Sequence, residues 1–180
     1  MQDNLFLGPD ADVRFSLSAL RALEASGTIS AEKTLILNGI TFSYSAGAQM
    51  KGQYRSGRDN MLSLSLSCRS RSVPQWQCLT ISLGAMDLAG AGAVGVIART
   101  SAPQSTLSRF TLRSGRDGDF VDQPFGKALA SFAAPSTHLD VIEIARVPNL
   151  PLQAQWRDLI LFFRPGPLDI EILDLRVFAV

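Results

Sequence analysis

The run MLSLSLSC, residues 61–68, alternates apolar and polar side chains without a break, so Leu62, Leu64, Leu66 and Cys68 share one face and the serines the other. A period of two is the mark of a β-strand with one buried side. The same signature recurs in LTISL (79–83), AVGVIAR (93–99), RFTLR (109–113) and HLDVIEIARV (138–147). WRDLILFF (156–163) is apolar on both faces and reads as a central strand, with Trp156 in the core. In TLILNGITFSY (34–44) an Asn-Gly pair divides two apolar runs, which predicts a tight hairpin, a bulged single strand at Gly39 being the alternative.

The last run carries more. In LDIEILDLRVFAV, Leu168, Ile170 and Ile172 share one phase and Leu173, Leu175 and Val177 the other, so a bulge or change of partner lies between residues 172 and 173. RPGP (164–167) must turn, because its prolines cannot donate to a ladder, and the turn predicts an antiparallel pairing of 156–163 with 168–180. A single helix is expected over SLSALRALEASG (16–27), capped by Ser16 and stopped by Gly27. AMDLAGAGA (85–93) reads as loop, and GKALASF (126–132) suits one helical turn. Eight or more short strands and one short N-terminal helix predict an all-β fold, an antiparallel β-sandwich of jelly-roll type.

A chain of 180 residues, 46% hydrophobic and 18% charged, suits one globular domain over 1–180. Its net charge of +1 gives no general attraction to nucleic acid or an anionic membrane. The N-terminus lacks a basic region and a long apolar run, and no window is long enough to span a membrane, so a soluble, cytoplasmic protein is expected. Cys68 and Cys78 lack zinc-ligand spacing, and their strand phases send the sulfurs to opposite faces, so both are expected as free thiols.

The ending WRDLILFFRPGPLDIEILDLRVF resembles the closing strands of jelly-roll carbohydrate-binding modules and galactose-binding-like domains. The resemblance covers the last third of the chain and implies the sandwich. It also implies a structural calcium, with Asp174 at the matching acidic position and a partner among Asp3, Asp10 and Asp12.

The arginines outnumber the lysines fourteen to three. A planar fork of donors suits polar recognition, although GC-rich coding yields the same bias. The pentapeptide Arg-Ser-Gly-Arg-Asp occurs at 55–59 and again at 113–117 with flanks that do not match, which reads as two loops of similar chemistry rather than a duplication. Sugar recognition needs a ring platform and bidentate polar groups. Tyr54, Arg55, Arg58, Asp59, Trp76, Arg113, Arg116 and Asp117 are the candidate ligand-binding residues, with Phe120 close by. Asp117, Asp119 and Asp122 lie within one short segment of hard oxygen donors, so Asp119 and Asp122 join Asp174 as candidate calcium ligands, a solvated turn being the other explanation. The lone histidine, His138, has no nucleophile motif near it and is expected exposed or capped at a strand head. The carboxylates form no recognisable glycosidase pair. A non-catalytic carbohydrate-binding module is therefore expected, with a glycan as partner. A protein-interaction module is the alternative, and a small jelly-roll glycan hydrolase or lyase the second alternative.

Overall fold

A computed structural model describes residues 8–69 and 71–180. One helix, α1 (Ala11–Ala22), precedes twelve strands: β1 (Ser26–Ile29), β2 (Lys33–Leu37), β3 (Ile40–Tyr44), β4 (Met50–Arg55), β5 (Leu62–Cys68), β6 (Gln77–Gly84), β7 (Ala93–Ser101), β8 (Thr106–Arg116), β9 (Asp119–Ser131), β10 (Ser136–Glu143), β11 (Trp156–Phe163) and β12 (Leu168–Ala179). They form two six-stranded antiparallel sheets, β1-β4-β5-β12-β7-β10 (sheet A) and β2-β3-β6-β11-β8-β9 (sheet B), stacked as a sandwich of jelly-roll type.

The alternation explains the stacking. Leu62, Leu64 and Leu66 of sheet A, and Leu79, Ile81, Leu159 and Leu161 of sheet B, are all buried in one continuous core. Stripping water from this shared apolar face is the main force holding the layers together. Asn38-Gly39 makes the expected hairpin turn between β2 and β3, with Gly39 at φ +79°, and a bulge between Leu35 and Leu37 precedes it in β2. The phase slip in the last strand is also real, since the register of β12 on β7 jumps between Ile172 and Asp174.

Four expectations are corrected. First, β11 and β12 do not pair. β11 lies between β6 and β8 of sheet B, and β12 between β5 and β7 of sheet A. The RPGP turn is too stiff for a two-residue hairpin and instead arches across the interlayer gap. The buried Gln77 amide pins the arch by donating to the Arg164 and Gly166 carbonyls at 2.6 and 3.0 Å. Second, the helix starts five residues early, just after Pro9, with Asp12 in its first turn and Arg21 in its last, matching its dipole. Val13, Leu17 and Leu20 form its buried stripe, while Gly27 lies in β1 beneath the Tyr54 ring. Third, residues 126–131 belong to β9. A bulge opposite Phe110 stretches the spacing of the inward residues Phe125 and Leu129 to four, which imitates a helix. The bulged Lys127 amide is satisfied by the Asp140 carboxylate at 2.6 Å. Fourth, His138 is mostly covered, packed against the Phe110 ring at 6.1 Å and 4.0 Å from Asp140. Burial, opposed by Asp140 and helped by Lys127, pushes its pKa down.

Both cysteines are free. Cys68 packs against the core and Cys78 is buried on the opposite side of its sheet, as the phases require. No helix among the described residues is long and apolar enough to cross a membrane.

Candidate functional site on the outer face of sheet B

Strand pairing assembles this face in rows. Trp156, Gly115 and Phe120 stand side by side on β11, β8 and β9. The next row holds Ser82, Asp158, Arg113 and Asp122, and the one after it Thr80, Ile160 and Thr111. Cys78 and Phe162 follow. The ladder between β3 and β6 runs one residue beyond Gln77, where the Ser45 amide donates to the Trp76 carbonyl, so Trp76 continues the phase of Cys78 and Thr80. Trp156 and Trp76 therefore mark opposite ends of the face, about 25 Å apart at ~3.3 Å per residue.

Trp156 is not core. It is 38% exposed, and three contiguous indole atoms would lie 2.0–2.3 Å from a methyl group added at Gly115. One face of the ring thus rests on bare glycine backbone and the other meets solvent. Gly115 is what makes this possible, because any side chain there would displace the ring. Beside it, Arg113 donates to both oxygens of Asp122 at 2.7 Å each, and its guanidinium sits 4.1 Å from the centre of the Phe120 ring. The fork is held in place from two directions. Across from it, burial pushes the Asp158 carboxyl above the usual carboxylate range, while Arg113 and Lys33 pull it part of the way back.

Under this row lies Arg157, fully buried among apolar neighbours. Burial pushes its pKa down, opposed by Asp87. A guanidinium survives there because its donors are taken up. Nε donates to the Ala85 and Met86 carbonyls at 3.2 and 3.0 Å, one terminal nitrogen to Ser114 Oγ, and the other to the Pro151 and Leu152 carbonyls at 2.6 and 2.9 Å. One side chain thus ties the loops after β6 and before β11 to β8, directly beneath the Trp156 platform.

The candidate residues fall in two places. Trp76, Arg113, Arg116 and Asp117 belong to sheet B, although Arg116 and Asp117 pair with each other at 3.3 Å in solvent at the β8–β9 hairpin. Asp117 and Gly118, at φ +55° and +84°, form that turn. Tyr54, Arg55, Arg58 and Asp59 belong to sheet A. Tyr54 is half-buried over Gly27, and all four line an open polar groove of about 980 Å³ shared with Gln53, Ser63 and Ser65. The two pentapeptides thus serve opposite sides of the sandwich.

The candidate calcium ligands are likewise dispersed. Asp119 accepts from the Phe120 amide, Asp122 is held by Arg113, and Asp174 lies between Arg21 and Arg176. Asp10 pairs with Arg14, Asp12 lies over Gly84, and Asp3 is outside the described residues. Among the described residues no three His, Cys, Asp or Glu side chains converge on a common point. Trp156, Asp158 and Arg157 were missed from sequence. The signal was present in WRDLILFF, whose phase puts Trp156, Asp158 and Ile160 on one side and Arg157 with Leu159 on the other.

No protein-family model and no curated protein matches the sequence. Solved structures match the fold. A family 11 carbohydrate-binding module from Clostridium thermocellum, in complex with a β-1,3-1,4-mixed-linked tetrasaccharide, superposes with a TM-score of 0.52 at 9% identity, covering 88% of this chain and 98% of that one. A CBM4 structure gives 0.52 at 12% identity, covering 78% and 87%. The tandem CBM22-1–CBM22-2 domain of Xyn10C from Paenibacillus barcinonensis gives 0.50 at 12%, covering 89% of this chain and 45% of the pair. The likeness read from the closing strands therefore extends over most of the chain, which shares its jelly-roll sandwich fold with these modules.

Proposed function

We propose that the protein binds a glycan chain along the outer face of sheet B and performs no chemistry on it. One observation carries this reading: an exposed indole laid flat on Gly115, next to an arginine fork locked by Asp122. The open indole face suits the apolar face of a pyranose ring, and the locked fork suits its hydroxyls, because little rotamer entropy remains to be lost on binding. The half-buried Thr80 extends the hydrogen-bonding surface toward Trp76.

A hydrolase on the same face would use Asp158 as the acid and Asp122 as the base, on either side of Arg113. Asp122 is bound through both oxygens to that arginine, which suits holding the fork in place better than activating water opposite Asp158. Binding without turnover fits better.

Calorimetric titration against a glycan panel that includes mixed-linked glucan, with product analysis by mass spectrometry, tests the proposal. Binding that falls at least tenfold in Trp156→Ala and persists in Arg55→Ala supports it. Binding that depends on Arg55 and ignores Trp156 moves the site to sheet A. Released oligosaccharide that disappears in Asp158→Asn establishes the hydrolase. A blank panel together with a specific protein partner establishes the interaction module.

A further inference from the structure

A second cavity, of about 590 Å³, lies beside α1 along the second half of β12, which β5 no longer pairs after Ile172. Its apolar lining is the half-buried Ile97 and Phe178, backed by Leu17, Leu175 and Val177 of the buried core. The tip of the Phe178 ring covers Gly95, with Cζ 2.0 Å from where a methyl group would stand, which repeats the ring-on-glycine arrangement of Trp156 in a different sheet. Four arginines, Arg14, Arg21, Arg58 and Arg176, line the cavity with two carboxylates, Asp10 and Asp174, leaving a surplus of two positive charges. Asp10 pairs with Arg14. Asp174 is shared between Arg21 and Arg176. Arg58 is exposed and makes no hydrogen bond or ion pair among the described residues.

An apolar lining under a cationic rim selects a ligand with a hydrophobic face and an anionic substituent. What adjoins the cavity narrows the class. Arg58 also lines the polar groove of sheet A, where Gln53, Ser63 and Ser65 offer amides and hydroxyls. A ligand that continued from the cavity past Arg58 would meet hydrogen-bonding groups, which suits a hydroxylated chain and strands an alkyl tail. We infer that this cavity is a second carbohydrate site, selective for a uronic acid residue, whose ring lies against Phe178 and whose carboxylate is taken by Arg58 with Arg21 or Arg176. This site is separate from the sheet B face and does not depend on glycan binding there.

The test is an amide-resolved NMR titration of the full chain with oligogalacturonate, with neutral galacto-oligosaccharide and with decanoate. Oligogalacturonate is expected to shift amides of α1, residues 95–97 and residues 174–178, with an affinity that falls as salt rises. Arg58→Gln, an exposed substitution that breaks no contact, is expected to weaken binding about fivefold or more, as is Phe178→Ala, while Trp156→Ala leaves it unchanged. Equal binding of the neutral sugar, binding of decanoate alone, no binding of any probe, or shifts confined to residues 109–122 and 156–162 would each overturn the inference. The last result would place acidic sugars on sheet B and leave the proposed function standing.

Discussion

The two copies of Arg-Ser-Gly-Arg-Asp share every letter and almost no role. Both copies begin on a strand second from the edge of its sheet, but Arg55 is the last residue of β4 and is exposed, whereas Arg113 lies within β8 and is clamped by Asp122 and Phe120. Ser56 is a local fastener, donating to the Leu23 carbonyl at 2.7 Å and accepting from the Ala25 amide. Ser114 accepts from the buried Arg157 guanidinium. A side chain at Gly57 would meet open space, while one at Gly115 would collide with Trp156. Arg58 makes no hydrogen bond or ion pair among the described residues, whereas Arg116 pairs with Asp117. Identical side chains thus acquire function from what packs around them: Trp156 of the neighbouring β11 makes the second copy a platform, whereas the first copy leaves its strand after Arg55 and lines an open groove. Local sequence sets which groups are offered, and register sets what they can do.

That contrast can be broken most forcefully at Arg157. Replacement by Leu strips hydrogen bonds from four carbonyls and Ser114, all beneath the second copy, and is expected to cost about 3–5 kcal/mol, a fall in Tm of about 6–15 °C by calorimetry. The first copy should be untouched, with the amides of 53–60 keeping their exchange protection at matched stability. Next in size is the platform itself. Trp156→Ala is expected to lower glycan affinity tenfold or more, about 1.4 kcal/mol, with Tm nearly unchanged, as measured by titration and thermal melt. Gly115→Val should have the same effect on binding by displacing the ring, whereas Gly57→Val should not.

The serines sharpen the comparison further. Ser114→Ala is expected to destabilise by about 1–2 kcal/mol because it leaves a buried charged donor unsatisfied, and Ser56→Ala by about 1 kcal/mol, both by denaturant unfolding. The smallest effect is a matter of pH. A carboxyl raised by burial favours the protonated folded state, so its stabilising contribution is complete below the ordinary Asp range and is lost as pH climbs through the raised value. Asp158→Asn is therefore expected to melt about 1 °C above the parent at pH 7 and to lose that advantage as pH approaches 4.

Strands were legible because period-two alternation reports burial of one face directly, as in MLSLSLSC and LTISL. The bulge after Ile172 was legible for the same reason, since a slip in phase leaves a visible mark in the apolar pattern. Which sheet a strand joins leaves no such mark, and β11 and β12 were consequently paired with each other. The site was half legible. Arg113 and Trp76 could be picked out as chemistry-bearing residues, but the flat seat of Trp156 depends on a glycine some forty positions away, and that neighbour exists only once the register of β8 on β11 is known. Phe125 and Leu129 misled for a related reason, because a bulge can give a strand the spacing of a helix.

The arch at RPGP also bears on how the chain is made. It sends two consecutive strands to the centres of different sheets, each between partners laid down earlier in sequence. A chain ending before Trp156 would hold four separate ribbons, β1-β4-β5, β7-β10, β2-β3-β6 and β8-β9, with no strand joining either half-sheet to its mate. Both layers close only with the last two strands, so a chain growing from the N-terminus carries unpaired edges until residues 156–179 are available to join the ribbons.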